Sequence, residues 1–125
     1  MTRKLIAVTT MTLLLSAAPA VANHRPNSAC SESGDVCISA KADGGVRKLK
    51  ISLGAKYFNR YKLCVTTPDE ERTCHRYRIG KSGDVYGDSV RWDTHFPDGG
   101  SGAYDVVWRQ GGNKLGGETL GFHVE

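Results

Sequence analysis

Four cysteines, Cys30, Cys37, Cys64 and Cys74, constrain this chain more than any other feature. An even number in a short chain, all downstream of a leader-like segment, predicts two disulfides, for which three connectivities are possible. Zinc would want close pairs such as C-x-x-C, and spacings of 7 and 10 residues fit it poorly. Two strands, Arg60 to Thr66 and Arg72 to Ile79, flank the polar turn Thr67-Pro68-Asp69-Glu70-Glu71. A hairpin centred on Asp69 sets Cys64 directly opposite Cys74, close enough to bond. Cys30 then pairs with Cys37. Each small loop so closed contributes about 2–3 kcal/mol.

The leader is read from residues 1–22. Arg3 and Lys4 precede an almost uncharged run from Leu5 to Ala18, and Ala20-Val21-Ala22 supplies small residues for cleavage. A run of about 14 residues is short of the roughly 20 that span a bilayer, so a signal peptide is expected and a membrane span is not. The expected organisation is a signal peptide over 1–22, a flexible segment over 23–34 and one domain over 35–125, exported to the extracellular space. Taking Arg3 and Lys4 from the 17 basic residues leaves 15 against 13 acidic, a net +2. So small an excess does not call for a nucleic-acid partner.

Alternation of apolar and polar residues decides the fold class. Leu49, Ile51 and Leu53 alternate with Lys48, Lys50 and Ser52, and Tyr61, Leu63 and Val65 alternate with Arg60, Lys62 and Cys64. His75, Tyr77 and Ile79 are expected inward, with Arg72, Arg76 and Arg78 outward. Val36 to Ala40 reads as a short strand, Gly80 to Gly87 as a polar loop, and Ser89 to Asp93 as a strand carrying Val90 and Trp92 inward. Tyr104, Val106 and Trp108 face one way in the strand from Ala103 to Gln110, and Leu120, Phe122 and Val124 close the domain. About seven antiparallel strands with turn residues between them predict an all-β sandwich.

Gly102-Ala103-Tyr104-Asp105-Val106, after the turn Asp98-Gly99-Gly100-Ser101, resembles the tyrosine corner of immunoglobulin-like domains. The resemblance implies a hydroxyl bonded back to the preceding loop. Val106 stands where antibody domains carry their inter-sheet cysteine, so an antibody-type domain is not implied. Tyr61-x-Leu63-Cys64-Val65, Cys74, Val90-x-Trp92, Phe96-Pro97 and Gly102-x-Tyr104-x-Val106-x-Trp108 resemble a group of small secreted actinobacterial proteins. That resemblance spans Cys30 to Val124, implies an exported immunoglobulin-like sandwich, and carries over no catalytic residue.

The candidate binding surface follows from parity. Arg60, Lys62, Arg72, Arg76 and Arg78 share the outer face of the cysteine-bonded hairpin, with Lys62 opposite Arg76 and Arg60 opposite Arg78. If Ala103 to Gln110 is the next strand, Asp105 and Arg109 join them. Such a face predicts an extracellular anionic polymer or an acidic partner protein as ligand, against a solvated face that only discourages sheet-to-sheet association. His24, second after the cleavage point, offers with the free amine a Cu(II) site, and Gly102 to Val124 resembles periplasmic copper carriers, which have a histidine where Asn113 stands. His75 is expected inward beside Tyr77, His95 in a loop and His123 outward. A disulfide-stapled inhibitor is the remaining alternative. No serine sits in a strand-turn-helix elbow, the cysteines are consumed in disulfides, and no cofactor motif is present, so the expectation is a non-enzymatic binding protein.

Overall fold

The structure, a computed structural model, describes residues 25–125. The expected signal peptide and His24 lie outside the described residues. Two antiparallel sheets form around one core. The first contains β1 (Ser28–Cys30), β2 (Val36–Asp43), β3 (Val46–Leu53), β6 (Gly80–Ser82) and β7 (Val85–Arg91), in the order β1-β2-β3-β7-β6. The second contains β4 (Arg60–Thr66), β5 (Arg72–Arg78), β8 (Gly102–Gln110) and β10 (Leu120–Val124), in the order β10-β8-β4-β5, with β9 (Asn113–Lys114) also paired to β8.

The two-residue period places the core where the sequence puts it. Ile38, Ala40, Leu49, Ile51, Leu53 and Val90 are buried from the first sheet, and Tyr61, Leu63, Val65, Tyr104, Val106, Trp108, Leu120 and Phe122 from the second. Trp108 and Tyr104 are fully covered. Each removes about 200 Å² from water, or about 5 kcal/mol at 25 cal/mol per Å² before entropy. The Tyr104 hydroxyl accepts from Gly99 N at 2.9 Å and donates to Gly100 O at 2.7 Å, the return bond expected of a tyrosine corner. Its ring stacks on Phe122 at 4.9 Å and meets Trp92 edge-on at 5.2 Å.

Both disulfides form as expected, Cys30–Cys37 and Cys64–Cys74. Three local expectations are corrected. Gly80 to Gly87 is not a loop but the β6–β7 hairpin, in which Ser82 opposes Val85 across Gly83-Asp84. Gly83 at φ 60° occupies the first central position of that two-residue turn, where a side chain would be strained. Trp92 lies not in a strand but in a single helical turn, α1 (Trp92–His95), closed by Phe96 N donating to Trp92 O at 3.0 Å. The turn begins one step past Val90 in the inward phase, so the indole still reaches the core. Pairing also starts at Ser28, opposite Ser39, before the first cysteine.

Candidate anion-binding face

The turn joining β4 to β5 fixes everything on this face. Thr67 is buried, its hydroxyl donates to the Asp69 carboxylate, and it accepts from Glu71 N at 3.1 Å. Thr67 N also donates to Glu71 O at 2.9 Å. The hairpin then runs in the register Arg60↔Arg78, Lys62↔Arg76, Cys64↔Cys74 and Thr66↔Arg72. On its other side β4 pairs β8 with Lys62↔Arg109, Cys64↔Val107 and Thr66↔Asp105. The structure therefore brings all six expected cations, and Asp105, onto one sheet face.

One member of this face went unread in the sequence. β9 pairs β8 with Arg109↔Lys114, so Lys114, Arg109, Lys62 and Arg76 form a row across four strands. At about 4.8 Å between strands the row spans about 14 Å. Its signal was available in the Gly111-Gly112 pair, because a two-residue turn there sets Lys114 opposite Arg109. Arg60 and Arg78 make a second, parallel pair two residues along the strands.

Among the described residues none of these cations is ion-paired to a carboxylate. Among the described residues the ion pairs are Arg25–Asp105 at 2.8 Å, Lys48–Asp43 at 3.3 Å, Lys50–Asp43 at 3.9 Å and Arg91–Asp93 at 2.9 Å. The one carboxylate on the face, Asp105, is thus taken by Arg25. Lys114 Nζ donates to Thr119 Oγ1 at 3.0 Å, and Arg109 Nε is buried without a hydrogen-bond partner. A cleft of about 370 Å³ opens at the end of the hairpin among Lys56, Asn59, Arg60, Arg78 and Ile79. A second, of about 350 Å³, lies among Arg60, Arg76, Tyr77 and Arg78.

Two placements differ from expectation. The Cys64–Cys74 bridge lies on the outer face, yet Cys64 is only 2% exposed, because Arg72 folds over it with Nη2 3.4 Å from Sγ and Val107 lies alongside. Cys64 is thus covered beneath the cations, while Cys74 is half-buried. His75 is exposed rather than buried, since among the described residues β5 is the last strand of its sheet. It rests against Phe96 at 5.1 Å between ring centroids and 6.3 Å from Tyr77, which His95 meets edge-on at 5.6 Å.

Behind the hairpin, Tyr61 donates to Asp88 Oδ2 at 2.9 Å, while the buried Tyr77 hydroxyl has no partner. Burial, and then the adjacent Asp88 charge, push both phenols above their ordinary value. Among the described residues no group of three histidine, cysteine or acidic side chains is arranged to hold a metal. Of the aromatics that stand in or near loops, Tyr57 is 55% exposed, whereas Phe96 is buried. Another cavity, of about 920 Å³, lies on the opposite sheet over Ser28, Ser39, Lys50, Ser52 and Ser89. Its volume arises because short side chains line that face, and no comparable set of charges converges there.

No helix among the described residues is long and apolar enough to cross a membrane. The chain matches no protein-family model, and neither the curated proteins nor the solved structures include one significantly similar to it.

Proposed function

We propose that this chain is an exported, non-enzymatic binding protein that engages an anionic extracellular partner through the outer face of β9, β8, β4 and β5. The observation that carries the reading is the row Lys114–Arg109–Lys62–Arg76, with Arg60–Arg78 beside it, none of them paired to a carboxylate among the described residues. Like charges directly opposed on neighbouring strands destabilise a sheet. A bound polyanion offsets that repulsion, and the covalent Cys64–Cys74 staple holds the cations in place before the ligand arrives.

Export is supported by the leader-like segment and by two disulfides, which persist in oxidising compartments. The immunoglobulin-like reading is supported by the tyrosine corner and by a strand order in which β2-β3-β7-β6 and β10-β8-β4-β5 correspond to the two sheets of such domains.

The test is retention on immobilised dextran sulfate as a polyanion probe. Retention should weaken steeply with salt, by a log–log slope of about −0.7 for each cation engaged on a flexible polyanion. The triple variant Lys62→Glu, Arg76→Glu, Arg78→Glu should elute in the void. Retention unchanged by the triple variant would refute the reading.

A further inference from the structure

We infer that the partner of the basic face is an extended acidic segment of another protein, which adds as a further strand along the free edge of β5. This rests on the reading of the face as anion-binding and names the ligand class. Among the described residues, β5 pairs only with β4. The other long edge of that sheet, β10, is partly occupied, since Gly121 N donates to Pro26 O at 3.0 Å.

Hydrogen bonds at both ends of the hairpin fix which backbone groups of β5 are free. Ile79 N donates to Asn59 O at 2.8 Å, and Thr67 N donates to Glu71 O at 2.9 Å. Counting in steps of two from either end, Tyr77, His75 and Thr73 exchange bonds with β4. Arg78, Arg76, Cys74 and Arg72 are the non-bonded pairs, and the 4.1 Å Cα–Cα distance between Cys64 and Cys74 has the short separation of such a pair. The N–H and C=O groups of these four residues therefore point out of the sheet edge.

The exposed backbone and the arginines thus belong to the same residues. An antiparallel strand bonding to them places its own alternate side chains opposite Arg78, Arg76, Cys74 and Arg72 on the outer face. The pattern it must carry is acidic-x-acidic-x-small-x-acidic. Its intervening residues lie over Thr73, His75 and Tyr77, against the aromatic shelf of Phe96 and His95, and are apolar. Charge argues against a second copy as occupant, because β5 laid antiparallel along its own full length sets Arg72 opposite Arg78. Strand addition of this kind draws affinity from the backbone and specificity from alternate side chains.

The probe is the end-blocked peptide Glu-Val-Glu-Val-Ser-Val-Glu, compared with an isomer of identical composition whose three glutamates are contiguous. The patterned peptide should bind about tenfold tighter, from three opposite-charge cross-strand pairs. It should also slow amide exchange at Arg72, Cys74, Arg76 and Arg78. Arg76→Gln removes only the charge and should weaken peptide binding several-fold. Arg76→Pro removes the outward N–H as well, without breaking a bond to β4, and should abolish it. Equal affinity for both peptides, or unprotected edge amides, overturns strand addition while dextran sulfate retention leaves the basic face standing. Loss of all three interactions overturns both.

Discussion

Lys62 sits between Arg109 and Arg76 in the cation row, which makes Lys62→Glu the most informative single change. If the row exists for a ligand, the free protein carries repulsion there that substitution can remove. Lysine and glutamate are both weak strand formers, so the exchange isolates charge. Two like-charge pairs, each costing a few tenths of a kcal/mol, become two opposite-charge pairs, each contributing about 0.2–1 kcal/mol. Arg76 is exposed, which places the sum toward the lower end, at about 1 kcal/mol of added stability. For a domain of this size that raises Tm by about 4–8 °C. Thermal unfolding by circular dichroism at 20 mM salt should show it. At 1 M salt, where the screening length is about 3 Å, most of the gain should vanish. Dextran sulfate retention should fall in the same variant. A lower Tm at low salt, or a gain that salt leaves untouched, would refute the claim that these side chains repel one another in the free protein.

Three further outcomes are expected. Tyr104→Phe keeps the ring stacked on Phe122 but loses the bonds to Gly99 and Gly100, and urea unfolding should show a loss of about 1.5–3 kcal/mol. Replacing Cys64 and Cys74 together by alanine should cost about 3 kcal/mol by the loop-entropy estimate and should also weaken dextran sulfate retention, since the cations are then less firmly held. Because burial and Asp88 hold the Tyr61 phenol protonated well above its ordinary range, the folded state keeps a proton that the unfolded chain releases above pH 10. Stability is therefore intact below that pH and should fall by about 1.4 kcal/mol per pH unit above it from this residue. In Tyr61→Phe urea unfolding between pH 9 and 11 should show a shallower decline.

Where the chain's own spacing sets a relationship, the sequence was sufficient. A separation of ten residues from Cys64 to Cys74 around a polar turn admits one hairpin register, and that register alone places Arg60 against Arg78 and Lys62 against Arg76. Side-chain alternation then assigns Leu63, Val65, Tyr104 and Val106 to the core, because successive residues of a strand must face opposite ways. Where the outcome depends on what lies beside a strand, spacing was silent. His75 has the parity of a core residue and is exposed because β5 ends its sheet. Cys64 has the parity of a surface residue and is covered because Arg72 and Val107 close over it. The arginines of β5 share residues with free backbone groups only because, among the described residues, no strand pairs with the far side of β5. Local periodicity fixes which way a side chain points, whereas burial and partnership depend on neighbours brought from far along the chain, and those are set only when the two sheets close on each other.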